Sequence, residues 1–513
     1  MRLSNKHSNV QTVIFANFSG GLNVSNSREM IGDTELSECI NMDVDTSNGL
    51  LKVVDGNKRI FTAPDGTSLQ SIYYDKINKL WLVSDTSHKL YSINLAAESP
   101  ALSLLGTLTG TVYPVYASWE SGVLVASGGQ LQYYDGKTFT TLTNSPQAST
   151  AVYIAAGRVL VNDLTSGNES NIYWSSTGDE TTWKDDTNDA SSGKWLEVGY
   201  KDGGRIISFV SMASYIIVAK DNRHVYRVTG YFPNWSVDEV SRNVDCTSRL
   251  GFYPEGTAVY ILGAGRMQYM DTSQFYGDIK AADVGVKVSS KLQQVDDNPR
   301  MLYIAPLNQV WIPLVNRYVL VYDCTSKSFY QRRFNRIGIV DASSVGTDIY
   351  LLRPDCICKV ISKYGYDDGV KTMWRFASRK LVSNNDFLLK RASVEITPWI
   401  ETLMEGNFKV GGIMLPLPTP YTSYKIYGNK TPIYHNRHHI CGDNQREYLL
   451  YESGPEIYEN YEPIYHNYEP IFHVSAVGLG ERCVYRNKTI GVSGSGEGCC
   501  FILNSIHLDI AEV

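Results

Sequence analysis

At 513 residues the chain exceeds what one ordinary hydrophobic core organises, so more than one domain is expected. Its apolar content of 43% and lack of low-complexity tails exclude a disordered protein. A net charge of −6 with no block of Lys or Arg excludes gripping nucleic-acid phosphates as the main task.

The nine Cys are irregularly placed and form no disulfide framework, so the thiols are read as reduced and the chain as folding in a cytoplasm. Met1 to Val13 is polar and lacks the apolar centre of a signal peptide. The longest apolar stretch, Ile206 to Ala219, is too short and too interrupted by Ser to span a bilayer. No stable membrane insertion is expected.

Residues 1–44 read as an N-terminal arm with turns at Gly20-Gly21 and Gly32-Asp33. From Leu50 to Phe61 an apolar stretch is split by Asp55-Gly56-Asn57, a turn signal that predicts a hairpin. Residues 45–378 then carry a period. Seven times a short polar turn precedes an apolar residue opening an aromatic-rich strand: Leu90, Leu131, Ile172, Val225, Met267, Val319 and Cys358. A spacing of about 45 residues, filled with strands and Gly/Asn/Asp turns, predicts an all-β chain built on a six- or seven-bladed β-propeller. Gly122 to Asp135, Tyr215 to Val228 and Val310 to Asp323 show the repeated strand–turn–strand unit most clearly, the last turning at Asn316. Blades expose apolar faces that only their neighbours cover, so the ring must close. By its position, the Leu50–Phe61 segment is expected to supply the strand that latches the last blade.

Residues 379–513 lack the period. Alternating apolar residues from Phe387 to Pro398 and from Gly498 to Glu512 predict paired strands of a C-terminal β-sandwich-like domain. A Tyr/His-rich insert, residues 421–474, interrupts it, with 10 Tyr between Tyr421 and Tyr468. Pro432-Ile-Tyr-His-Asn436 recurs as Pro463-Ile-Tyr-His-Asn467 and Pro470-Ile-Phe-His-Val474, and Pro at such spacing predicts extended, turn-rich loops. Such rings either pack a loop on itself or form a contact surface, for which Tyr434, Tyr458, Tyr461, Tyr465, Tyr468 and Phe472 are the candidates.

Chemistry-bearing motifs are scarce. His435, His438, His439 and Cys441 lie within seven residues and are the candidate metal ligands, but no second Cys pair at zinc spacing completes a set. Neither metal nor cofactor is expected. The stretch Tyr173 to Trp183 resembles the Asp-box turn of sialidase-type propellers, read here as a structural turn. The pairs Asp296-Asp297 and Asp367-Asp368 are read as surface turns rather than glycosidase carboxylates. There is no Walker loop, no G-x-S-x-G and no HExxH, so no catalytic residue is assigned and a non-enzyme is expected.

Several segments resemble phage tail proteins of the tail-nozzle or tail-hub type of short-tailed bacteriophages. They are Phe18-Ser-Gly-Gly-Leu-Asn23, Glu38-Cys-Ile-Asn-Met-Asp43 and Gly49-Leu-Leu-Lys52 in the arm, and Tyr173 to Trp183 and Val310 to Asp323 in the repeats. The closing Phe501 to Ile510 also fits that family. The resemblance implies a structural virion protein, a homohexamer in the tail, assembled in the host cytoplasm. It implies a DNA-ejection channel below portal and adaptor, with fibres, spikes or a plug docking around it. Six copies at −6 sum to about −36, which lets dsDNA pass without specific binding. A glycan-binding or glycan-cleaving tail propeller, or a partner-binding propeller scaffold, is the alternative. Carboxylates and aromatics converging on the propeller axis would mark the glycan reading.

Overall fold

The computed structural model describes residues 10–45, 48–183, 192–212, 215–231, 234–263, 265–271, 280–296, 299–398, 405–410 and 486–512, with the backbone of short strands between 413 and 463. Nearly every described element is a strand; the one α-helix among them is the single turn Ser289–Leu292.

Seven antiparallel sheets follow one another along the chain. They span residues 69–107, 115–141, 152–197, 206–241, 252–283, 302–333 and 341–361, numbered here as blades 1 to 7. The first strands of the blades line one another around the axis. Tyr73 of blade 1 stacks on Tyr116 of blade 2 with ring centroids 5.0 Å apart. Met301 N–H donates to Leu250 C=O between blades 5 and 6. Ile72 N–H of blade 1 donates to Asp341 Oδ2 of blade 7 at 2.8 Å, where the ring meets itself. The chain is therefore a seven-bladed propeller. Each of the seven predicted openers falls within two residues of the start of a blade's third strand. All are at most 2% exposed, because the third strand is flanked on both sides within its sheet and covered on both faces by neighbouring blades. The apolar stretch Ile206 to Ala219 resolves into a blade-4 hairpin, Ile206–Met212 with Tyr215–Lys220. No helix among the described residues is long and apolar enough to cross a membrane.

Blade 7 has only three strands of its own. Its fourth is Gly56–Thr62, which runs antiparallel to Cys356–Ile361. The predicted latch is thus present, but the predicted hairpin is not. Leu50–Val53 pairs instead with Met42–Asp45, and the chain crosses at Val54-Asp55 from the arm into the ring. Gly56, in the predicted turn, lies so close to the Tyr364 and Tyr366 carbonyls that an added Cβ would sit about 2 Å from both, leaving no room for a side chain.

Buried charge fastens this strand. Arg353, 1% exposed, pairs with Asp367 and also donates to Asn57 Oδ1 at 3.3 Å. Asn57 Nδ2 returns a bond to Asp367 at 2.8 Å, and Arg59 bridges Asp368 at 2.7 Å and Asp355 at 3.0 Å. Asp367-Asp368 is therefore a buried clamp and not the surface turn expected, because Arg353 and Arg59 supply the opposite charge that makes burial tolerable. Asp296 is a half-exposed partner of Arg300, and Asp297 lies outside the described residues.

Beyond the ring, Met373–Pro398 is one long strand. It pairs with Arg486–Glu497 along its first half and with Phe501–Glu512 along its second. The latter pairing joins the two segments whose alternation predicted it. Val10–Phe15 of the arm adds to the far side of Phe501–Glu512, and Glu35–Ile40 lies beside Met373–Pro398. Arm and C-terminal strands are thus one body. Its core is an aromatic knot of Phe18, Trp374, Phe376, Phe408 and Phe501, with Trp374 and Phe501 edge to face at 5.0 Å.

Replacing Asp367 by Ala leaves Arg353 buried beside a cut partner. The expected loss is about 3 kcal/mol of stability, read from the urea midpoint, against less than about 1 kcal/mol for the exposed partner change Asp348→Ala.

Candidate functional site

Two places carry more polar chemistry than the fold's turns require: the seam between the arm and blade 6, and the propeller axis. At the seam the Asn41 backbone is left-handed, with φ 54°, a conformation Asn tolerates better than most residues. From there its side chain takes Arg333 N–H at 2.8 Å and donates to Met373 C=O at 2.7 Å and Arg333 C=O at 3.1 Å. One buried amide therefore stitches blade 6 to the long C-terminal strand. Asp43 pairs with Arg332, whose guanidinium lies 4.3 Å over the Trp311 ring. Gly21, with φ 67°, sits where a Cβ would meet Ser328 Cβ at 2.6 Å, so only Gly admits this approach of the arm to the blade. The arm residues Gly21, Asn41 and Asp43 all act here.

Val10–Phe15 pairs on one side only among the described residues, and Val10 and Ile14 on it are 48% and 54% exposed. A strand edge with exposed apolar residues is a template for another chain.

On the axis a cavity of about 210 Å³ opens among the first strands of blades 1, 2, 6 and 7 and the turn leading into blade 5. Tyr73, Tyr113, Tyr116, Arg300, Met301 and Asp341 form its wall. Asp341 is buried, and burial pushes its carboxyl up to about 6 despite N–H bonds from Ile72 and Ala342, both 2.8 Å. Arg300 lies 4.8 Å over the Tyr113 ring and donates to Val340 C=O at 2.8 Å. Arg249 holds the Tyr113 carbonyl from behind, and burial, reinforced by the like charge of Arg300, lowers its guanidinium to about 10. The Tyr113 hydroxyl makes no hydrogen bond of ordinary geometry, although it lies near enough to Asp341 to favour the carboxylate. No local motif announced this site. Tyr113, Arg300 and Asp341 come from three separate blades, and only ring closure brings them together.

Other ionisable clusters are staples. Lys220, fully buried, donates to Asp202 at 2.5 Å, Val198 C=O at 2.8 Å and Ser170 at 3.0 Å, tying blade 4 to the exit of blade 3. In the Asp-box-like turn, Asp179 accepts both the N–H and the hydroxyl of Thr181, at 2.8 and 2.6 Å. Glu180 there accepts from Trp119 Nε1 at 2.9 Å, joining blade 3 to blade 2. That turn is structural, as its sequence predicts.

Of the candidate contact and metal residues, Tyr434 and His435 pair in backbone with His439 and His438, and Tyr458 pairs with Pro463. Cys441, Tyr461, Tyr465, Tyr468 and Phe472 lie outside the described residues. The described Cys residues are all buried and unbridged.

No protein-family profile matches the chain, and no curated protein does either. Solved structures similar to it include the WD40 β-propeller domain of Doa1 at 11% identity, covering 60% of this chain and 97% of that one, with a TM-score of 0.41. YCF48 from Cyanidioschyzon merolae follows at 10% identity, 60% and 98% coverage and 0.38. BamB from Moraxella catarrhalis follows at 12%, 63% and 96%, and 0.37. The propeller assignment rests on the sheet order itself.

Asp341 makes a pH prediction. Its carboxyl is raised in the folded chain, so its stabilising share is complete below about pH 4 and is lost as pH rises through about 6. Lowering the pH from about 7.5 to about 5 is expected to stabilise the protein by about 1 kcal/mol relative to Asp341→Asn. Paired thermal melts of the two proteins check this.

Proposed function

We propose that the chain is a ring-forming structural protein of the tail of a short-tailed bacteriophage, of the nozzle or hub type, and not an enzyme. In this reading six copies surround a channel for dsDNA below portal and adaptor, and fibres, spikes or a plug dock on it. The observation that carries it is the convergence of the segments resembling that family. Phe18 to Asn23, Glu38 to Asp43, Gly49 to Lys52 and Phe501 to Ile510 are far apart in sequence yet belong to one body. That body is stitched to blade 6, whose hairpin Val310 to Asp323 is another of the resembling segments. Elements that merely decorate a propeller have no need of such stitching; elements that carry load between subunits do. The open edge of Val10–Phe15 is the proposed subunit contact.

A glycan-binding propeller is the second reading, favoured by the three tyrosines and the carboxyl on the axis. Cleavage is not part of it: the two-carboxylate route of most glycosidases needs a second carboxyl group, and Asp341 is the one carboxylate on the described cavity wall.

Native mass spectrometry of purified protein and of virions is expected to show a six-copy ring. Val10→Lys with Ile14→Lys should reduce it to monomer with an unchanged melting temperature, since both side chains are about half exposed. Monomer alone, in both samples of the unaltered protein, overturns the proposal.

A further inference from the structure

The axial cavity holds an imbalance of hydrogen-bonding groups. On its wall Arg300 Nε is buried without a hydrogen-bond partner among the described residues, and the Tyr113 hydroxyl makes no bond of ordinary geometry, with Asp341 the one carboxylate near it. A buried orphan donor is costly, and no acceptor among the described wall residues reaches Arg300 Nε, so an acceptor entering the void would be favoured there. Charge points the same way. Arg249 and Arg300 bracket Tyr113, one at its carbonyl and one over its ring, while Asp341 is the single carboxylate among the described wall residues. Asp296 offsets Arg300 only from the solvent side, 3.6 Å away and half exposed.

The rest of the wall is ring and thioether: Tyr73, Tyr116, Pro114 and Met301. The Tyr73 hydroxyl is bonded to Ser118 and the Tyr116 hydroxyl to Ser71, which leaves their carbon surfaces as what they offer a guest. A volume of about 210 Å³ admits one six-membered ring with a substituent, so of a glycan it would take a single sugar.

We infer that the axial cavity binds a small organic carboxylate with a ring-sized body, its carboxylate held by Arg300 and the Tyr113 hydroxyl and its ring against the tyrosine wall. The structural alternative is that these groups only hold blades together, which Asp341 and Arg300 also do through Ile72 and Val340. That role needs no guest and leaves Arg300 Nε without an acceptor among the described residues.

Binding is expected to respond to pH through Asp341. The groups facing it are Tyr73 from blade 1, Tyr113 and Tyr116 from blade 2, and Arg300 from blade 6, with Arg249 behind Tyr113. Burial raises the Asp341 carboxyl to about 6, so its protonation removes the negative charge that the described wall opposes to an anion.

The test uses the full chain, whether or not it assembles, because the cavity lies within one ring. Glucuronate and benzoate are titrated beside methyl glucoside and benzamide, their neutral counterparts, by calorimetry and ligand-observed NMR. Saturable binding of at least one carboxylate is expected, about tenfold tighter than its neutral counterpart. It should strengthen several-fold between about pH 7.5 and about pH 5.5. Asp341→Asn should flatten that pH response, and Arg300→Met should abolish binding. Equal binding of carboxylate and neutral counterpart, or none of either by the unaltered protein, overturns the inference without recourse to a variant. A failed ring assembly leaves this result standing, so the two proposals fail separately.

Discussion

The structure depends on bringing Gly56–Thr62 home to the last blade. Until that strand pairs with Cys356–Ile361, blade 7 has an open edge and the ring has two uncovered apolar faces. Closure joins residues about three hundred positions apart, an arrangement whose loop entropy must be met by what forms at the join. The chain meets it with a backbone ladder plus the buried Arg353–Asp367 and Arg59–Asp368 pairs. Such pairs gain little over apolar packing but tolerate no error of register, since a one-residue slip would leave each charge buried and alone. Specificity of closure, more than raw stability, is what this charge provides.

The same segment fixes where the arm can go. Because Leu50–Val53 hands directly to Gly56–Thr62, the strands Met42–Asp45 and Leu50–Val53 of the arm start beside the closing blade. The described arm lies against blade 6 and the C-terminal strands, with Gly21, Asn41 and Asp43 at the contact points. A propeller and a second β-body thereby share one continuous sheet through Glu35–Ile40.

How much of this was legible varies with how local the signal is. Third-strand openers such as Leu131 and Val319 stand out because a strand buried on both faces has to be apolar wherever the blade repeats. The pairing of Phe387–Pro398 with the C-terminal strand was readable from two alternating patterns of matched length. Asp55-Gly56-Asn57 was misread because a turn signal does not say whether the strands it separates pair with each other. Asp367-Asp368 was misread because Arg59 lies 309 positions from Asp368, and Arg353, 14 positions from Asp367, meets it only through the fold of blade 7. The axial cavity was invisible for the same reason: Tyr113, Arg300 and Asp341 are unremarkable singly and become a site only when three blades meet. Asn41 and Asp43 were legible as members of a motif, though not as the groups that hold it to blade 6.

The shared sheet has a mechanical meaning. Ile40 stands between Gln331 of blade 6 and Arg375 of the long strand, so hydrogen-bonded backbone runs unbroken from the ring into the C-terminal strands. A pull along those strands would load their many cross-strand bonds together, in shear, where a flexible linker would let them open one at a time. The Asn41 amide sits beside that path, where Ile40–Gln331 is the one register pair joining arm to blade 6 among the described residues. Tension across this junction falls on the Asn41 amide together with the Asp43–Arg332 pair and the Ser328–Ser19 bond beside it.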